Sequence, residues 1–388
     1  MRHTGHARPG HGGRLALTSE GVAWLGAAFV LGVVGWLKSI NLVLILAYMM
    51  AALLCLNGWL ARRQARRVTA GRTAHPPVFA GETASLRVSA TNTGRRPATV
   101  SVEERHERDT TAWFIHRLSG GASAACAGSR VFPTRGRFPS SVWISSGFPL
   151  GLIRHDRVVV ADSEVIVLPA VGEVDAIALR QWLLRQAGGD GRARKVLRRV
   201  TADQADVRGV RPYRAGDPIR GIHWRSSARR GELMVREYDA APSPELVLIL
   251  EPWLPKEPTA IERANLEAAL SLAVTVAWGW SREFATRVTI GIAGDPDSVQ
   301  TAGTTDAAMR EALAPLADVT GSRAFDVLGP NSFDRSLQRA ARLVVSSRRD
   351  SPYATALTRS TGRSFLAVSP VGRQAWYEPP ATTSAKDL

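Results

Sequence analysis

At 388 residues the chain has room for two or three domains and a sizeable core. Its 50 Lys and Arg against 34 Asp and Glu leave a net charge of +16, which favours anionic partners: nucleic acid, anionic lipid or an acidic protein. The two cysteines, Cys55 and Cys126, stand far apart in unlike contexts, which excludes a disulfide framework, and no CxxC or Cys/His cluster points to zinc.

Residues 1–20 are rich in Gly, His and Arg and read as a disordered basic tail. Two uncharged apolar runs follow, Gly21 to Leu37 and Ile40 to Leu60. About 20 apolar residues cross a bilayer core, so residues 21–61 read as a transmembrane helical hairpin turned at Lys38-Ser39. Asn41 and Asn57 subtract from the insertion energy of the second run, while Trp36 and Trp59 sit at span ends as an aromatic belt would place them. A cleaved signal peptide has a shorter apolar core and no second span directly behind it. Leu54 stands where a lipoprotein at Cys55 needs a small residue. A buried helical hairpin of a soluble domain is the remaining alternative.

Arg2, Arg8 and Arg14 precede the first run. Arg62, Arg63, Arg66 and Arg67 follow the second, and only Lys38 lies between. Positive residues stay inside, which places both termini and the soluble domains on the cytoplasmic side. The ARRQARR segment from Ala61 also attracts anionic lipid, by about 1 kcal/mol per basic residue near the surface.

Residues 76–170 change to β. Leu86 to Ala90 and Thr99 to Glu103 alternate; Val142 to Ile144, Val158 to Val160 and Val165 to Leu168 are further short runs. Gly81, Gly120, Gly121, Gly136 and Gly147 supply turns, and strands at this spacing predict a small β-sandwich. Residues 171–206 read as a helical connector: Ile177 to Leu184 is amphipathic, and Gly188 to Gly191 breaks the pattern. The charges of the following ARKVLRR read as a solvated face.

Residues 207–240 hold the densest pattern in the chain. Asp217-Pro218 reads as a helix start, Ile219 to Arg230 as a short helix, Gly231 as its stop and Leu233 to Tyr238 as a strand. Eight arginines surround this element. Residues 241–375 then alternate: strand at Leu246 to Glu251, long helix at Thr259 to Phe284, strand at Arg287 to Ile292, helix at Asp306 to Leu316. A helix at Phe333 to Ala341 capped by Ser332 and strands at Leu343 to Ser346 and Phe365 to Val368 complete it. That order predicts a parallel sheet covered on both faces, a doubly wound α/β domain. The tail, 376–388, reads as loose.

The signature resembles that of the bacterial DUF58 family. It is carried by Arg211, Tyr213, Gly216, Asp217, Arg220, Ile222, Trp224, Ala228, Arg229, Gly231, Leu233, Val235, Arg236 and Glu237. The upstream pieces Thr134-Arg-Gly-Arg-Phe and Phe148-Pro-Leu-Gly-Leu resemble a second motif of that family. The resemblance implies a bacterial inner-membrane protein with a von Willebrand factor A-like C-terminal domain. It also implies a partner, a MoxR-type AAA+ ATPase.

Chemistry is sparse. A von Willebrand A domain that binds a divalent ion uses D-x-S-x-S after its first strand, clustering oxygens for a hard cation. This chain has Glu251-Pro252-Trp253-Leu254-Pro255 there, so no metal is expected, and Asp295 and Asp297 read as solvated loop acids. Cys126 has His106 and His116 near it in sequence, with no spacing that sets up a Cys–His pair. No G-x-S-x-G, phosphate-binding loop, dinucleotide fingerprint or H-E-x-x-H is present, so no cofactor and no catalytic residue is assigned.

In a scaffold reading, Asp217 caps the helix and pairs with Arg220 or Arg214, Trp224 and Ile222 anchor the element, and Arg236 and Glu237 brace a strand. In a contact reading, Arg214, Arg220, Arg225 and Arg229 grip carboxylates or phosphates on a partner. The preferred function is a membrane-anchored, non-enzymatic adaptor that docks protein. Behind it stand a nucleic-acid or polyanion binder, for which no recognised fold is visible, and an unrecognised envelope-metabolism hydrolase.

Overall fold

The computed structural model describes residues 13–73, 75–106, 109–186, 207–214, 222–238, 245–333, 340–372 and 374–381. They divide into two compact units. One holds residues 1–78, 82–132 and 136–167; the other holds 79–81, 133–135 and 168–388.

The first unit begins with strand β1 (Arg14–Leu17), which pairs antiparallel with β9 (Ile153–Leu168). The expectation of a disordered tail through residue 20 is therefore corrected at its end: backbone pairing orders Arg14 to Leu17. Thr18 then caps helix α1 (Ser19–Leu37) by accepting from Gly21 N at 3.0 Å. Ser39, at φ 53°, turns the chain into α2 (Asn41–Arg67). Both helices are long and apolar enough to cross a membrane. Only 17 and 22 % of their apolar windows is buried, unlike the core helix of a soluble domain. They pack on each other: Trp24 Nε1 donates to Met50 O at 3.1 Å, and a Cβ on Gly35 would meet Leu44 at 3.0 Å.

Helix α2 runs past the end expected at residue 61. Its last turns enter the β core, and β2 (Val68–Arg72) follows without a linker. Ala61, Gln64 and Ala65 are buried while Arg62, Arg63 and Arg66 are exposed, the i, i+3, i+4 split of one inward and one outward helix face. Gln64 Oε1 accepts from Thr99 N at 2.6 Å.

β3 (Val78–Phe79) precedes β4 (Thr83–Asn92), β5 (Ala98–His106), β6 (Asp109–Leu118), β7 (Ser123–Val131) and β8 (Gly136–Ser146). One antiparallel sheet runs β1-β9-β8-β5-β6 and the other β2-β4-β7. Val68, Val88, Ala90 and Cys126 from the smaller sheet share a core with Ala98, Val100, Val102, Leu118, Val142 and Ile144 from the larger. The two faces make a sandwich. The runs expected at Val158 and Val165 are one continuous strand, β9. Gly136, expected in a turn, opens β8.

The second unit is built on a five-stranded sheet. Its strands are β13 (Glu245–Glu251), β14 (Val288–Ile292), β15 (Asp295–Ala302), β16 (Ala340–Ser346) and β17 (Leu366–Val368), in the order β15-β14-β13-β16-β17. β13 pairs in parallel with β14 and β16, and β16 with β17; only β15 is antiparallel, at an edge. Val247 and Ile249 pack with Phe333, Val344 and Leu357 on one face, so Leu246, Leu248 and Leu250 point to the other.

Among the described residues, the helices of this unit are, in chain order, α3 (Ala176–Gln186), α4 (Trp224–Arg230), α5 (Ala260–Phe284), α6 (Asp306–Leu313) and α7 (Pro352–Thr361). α5 starts in a capping box: Thr259 accepts from Glu262 N while the Glu262 carboxylate accepts from Thr259 N.

Four expectations change here. Ala340 and Ala341 open β16, so the helix expected over Phe333 to Ala341 does not reach them; residues 334–339 lie outside the described set. The helix expected to Leu316 ends at Leu313 and tightens into a 3-10 turn, Ala314–Ala317. Asp295 and Asp297, read as loop acids, begin β15. The tail read as loose returns as β18 (Tyr377–Glu378), pairing with β10 (Glu173–Val174). Trp376 is buried there against Trp182, ring centroids 5.9 Å apart. In the connector, α3 is helical as expected, and residues 187–206 lie outside the described set.

Candidate functional site

Strand order reverses on either side of β13, so the carboxyl ends of β13 and β16 form the switch point where open α/β sheets bind ligands. Glu251 ends β13 with no solvent exposure. Its Oε1 accepts from Arg348 Nη2 at 2.6 Å and its Oε2 from Ser351 Oγ at 2.5 Å. The Arg348 guanidinium also lies 5.0 Å from the Trp253 ring centroid. Ser347 Oγ donates to Trp253 O at 2.6 Å, and Trp253 bridges Ser322. An arginine thus supplies the positive charge beside this carboxylate, and both carboxylate oxygens accept from protein donors.

The signature element lies in the same unit. β11 (Val207–Pro212) pairs antiparallel with β12 (Met234–Tyr238), setting Arg211 opposite Val235, Val210 opposite Arg236 and Gly209 opposite Glu237. Tyr213 N donates to Leu233 O at 2.8 Å and Ile222 bridges Val235. α4 connects the two strands. Its start differs from expectation: Ile222 and His223 precede the helix, and His223 is the cap, Nδ1 accepting from Ser226 N at 3.2 Å. Gly231 stops the helix at φ 75°, where a Cβ would be strained.

Ser227 holds α4 down. Its Oγ accepts from Met234 N at 2.9 Å and donates to His223 O at 3.1 Å. Met234, Val235 and Ile222 are buried beneath it. The opposite face is open. Trp224 is 64 % exposed, against the expected anchoring role, and Arg225, Arg229 and Arg230 are exposed with it. Leu233, 47 % exposed, extends the patch. Arg225 and Arg229 fall one turn apart on one side of the helix. Arg211 Nη1 donates to Pro212 O at 3.1 Å, and Arg214 is exposed. Gly216, Asp217 and Arg220 lie outside the described residues, as do the surroundings of the Arg236 and Glu237 side chains. His223 and Ser227 are the supports that residue spacing did not single out; neither type has a distinctive pattern there.

The second motif divides between the units. Arg135 forks onto the Glu267 carboxylate at 2.8 and 2.9 Å, and donates to the carbonyls of Ala317 at 2.8 Å and Val319 at 2.9 Å. It is a brace within the second unit. The Phe148-Pro-Leu-Gly-Leu piece lies in the first unit. There Thr18 Oγ1 donates to Gly151 O at 2.7 Å and Thr18 N to Leu152 O at 3.1 Å.

Buried charge also collects in the sandwich. Glu104, fully buried, lies 3.2 Å from Arg72 Nη2 and accepts from Ser140 Oγ at 3.0 Å. Burial pushes its carboxyl up, but His106, Arg72 and Ser140 together hold it below the usual range. Burial pushes the Cys126 thiol up, the opposite of what a nucleophilic thiolate needs. Among the described residues no group of three or more His, Cys, Asp and Glu could hold a metal ion.

Residues 209–370 match the family model described as protein of unknown function DUF58. That span takes in the signature residues Arg211 to Glu237 and all five strands of the sheet. Comparison with curated proteins gave no match.

Proposed function

We propose that the chain, a member of the DUF58 family through residues 209–370, is a membrane-anchored adaptor that works by docking protein and not by catalysis. The two apolar helices support membrane anchoring, and the arginines flanking them support an inner-membrane placement with the soluble units in the cytoplasm. The strand order of the second unit, with helical crossovers around β13, supports a von Willebrand A-like reading of that sheet.

The observation that carries the docking role is the open face of α4. Trp and Arg are the residue types that dominate binding energy at protein interfaces. Here Trp224, Arg225 and Arg229 stand exposed on a helix whose other side is pinned by Ser227 and Met234. A rigid support under exposed anchors lowers the ordering cost of binding. The family resemblance suggests the partner, a MoxR-type AAA+ ATPase, which would supply the energy while this protein supplies location.

The test is co-purification from detergent of the full chain with a MoxR-type ATPase, with and without ATP. Trp224→Ala with Arg225→Glu and Arg229→Glu should lose the ATPase while keeping the wild-type melting temperature. Retention of the ATPase by that variant rules out this face. Turnover of a substrate by the purified chain alone overturns the adaptor reading.

A further inference from the structure

Asn57 is a polar residue inside an apolar run, five residues before Arg62, the first charged residue that follows it. It is buried, and both ends of its amide are used. Nδ2 donates to Gly147 O at 3.0 Å and Oδ1 accepts from Ile153 N at 2.8 Å. At the other helix, Thr18 fixes Gly151 and Leu152. One loop, 147–153, therefore ties the base of both apolar helices. Gly58 packs against Ile153 and leaves 3.1 Å for a Cβ, so the approach is close.

These contacts set a depth. Asn57 lies five residues before Arg62, about 7–8 Å along the helix axis. Irregular backbone at that depth is tolerated where its polar groups are met by protein, and Asn57 and Thr18 meet four of them. Yet Phe148 and Leu150 of this loop turn outward, 41 and 51 % exposed. Leu17, 46 % exposed, is in register with Ile153 at the same level. Arg62, Arg63 and Arg66 follow on the exposed side of α2. Apolar side chains at the helix base, backed by a basic row, match the boundary between acyl chains and anionic headgroups.

We propose that the 147–153 loop enters the interfacial layer of an anionic bilayer, with Phe148 and Leu150 in contact with lipid. The sandwich then rests on the membrane surface and does not hang from it on a linker. This rests on the membrane-anchoring reading above.

The full chain is reconstituted in phosphatidylcholine and phosphatidylglycerol vesicles, with and without lipids carrying a nitroxide high on the acyl chain. A bimane label reports from one cysteine at a time. Native Cys55 on α2, exposed on the helix surface, is read with Cys126→Ala. Phe148→Cys, Leu150→Cys and Ser85→Cys are each read with Cys55→Ala and Cys126→Ala. Ser85 is exposed on β4, seven residues from the Asn92 end that pairs with Val68, about 23 Å along the strand.

Labels at Cys55, Phe148→Cys and Leu150→Cys should lose most of their emission to nitroxide lipid, and the label at Ser85→Cys should keep it. If Cys55 is quenched and both loop positions behave like Ser85→Cys, the loop is not in the membrane and the proposal fails alone. If the Cys55 label also keeps its emission, the anchoring reading has failed and takes this proposal with it. The two loop positions are independent, so one misfolded variant leaves the other to decide.

Discussion

Arg348 Nη2 donates to Glu251 Oε1 at 2.6 Å, across the ends of β16 and β13, and the carboxylate it meets has no exposure to solvent. The pair is asymmetric. The Arg348 side chain is 28 % exposed and can turn toward water, whereas Glu251 cannot. Removing the arginine strands a buried charge, which costs roughly 3–5 kcal/mol, while removing the carboxylate costs less. Arg348→Ala should therefore lower the unfolding free energy by about 3 kcal/mol, and Glu251→Gln by a smaller amount. Chemical denaturation of the detergent-solubilised chain reads both. Equal small losses would mean that water reaches Glu251.

The signature element predicts a clean separation between its two faces. Met234 is fully buried and its N–H is held by Ser227, so Met234→Ala should cost about 2–5 kcal/mol. Trp224 is mostly exposed, so Trp224→Ala should stay within about 0.5 kcal/mol of wild type. Thermal unfolding of the two variants side by side decides it. A Trp224→Ala loss as large as that of Met234→Ala would return the tryptophan to the anchoring role of the scaffold reading.

How much of this was legible in the residues follows from what each pattern encodes. The buried strand Leu246 to Glu251 and the long helix behind Thr259 declared themselves, because apolar runs and periodicity are local signals. The loop under the helices did not. Asn57 read as a cost to insertion, since its partners Gly147 and Ile153 are about 90 residues away in the chain and no periodicity encodes that meeting. β7 escaped for another reason: Ser123 to Val131 is rich in Ala, Ser and Gly, without the branched residues that mark strands. Trp376 looked like part of a loose tail because its burial depends on Trp182, on a helix far upstream. At the signature, Gly231 was legible from its left-handed requirement, but the residue pattern left Trp224 between a scaffold and a contact reading, since it does not say which side of the helix faces the chain.

Stability should fall as the solution is acidified through the imidazole range. Burial holds His75 below its usual value, with Arg72 adding to the effect, and burial with Arg62 and Arg66 does the same for His155. Both are neutral in the fold at pH 7. Below about pH 6.5 the unfolded chain takes up protons that the folded chain refuses, so stability present above that pH is lost as pH drops toward the folded values. Each such proton steepens the fall by at most about 1.4 kcal/mol per pH unit. Glu104, held low, adds a further loss once pH falls below about 4.3 and through its folded value. Melting temperatures from pH 7.5 down to 5 should decline, and His75→Gln with His155→Gln should flatten the decline. A flat wild-type profile across that window would show both imidazoles reaching water.

Asn57→Leu separates two views of the same residue. By hydropathy alone it improves a membrane span, since an amide at that depth opposes insertion. By structure it leaves Gly147 O and Ile153 N without their partner. An unpaired backbone group costs about 1–3 kcal/mol, so with two of them the variant should lose roughly 2–6 kcal/mol in the first unit while inserting at least as well as wild type. The loss should be local. Proteolysis of vesicle-bound protein should open the chain near Phe148 and Leu150, which no longer tie to α2, while the parallel-sheet unit keeps its wild-type protection. Thr18→Val tests the other tether, since Thr18 Oγ1 both donates to Gly151 O and caps α1. If the loop clamps both helices, the two variants should expose the same cleavage sites, and the double variant should lose less than the sum, because the second tether holds little once the first is gone. Strict additivity would mean that the two helix ends are held independently.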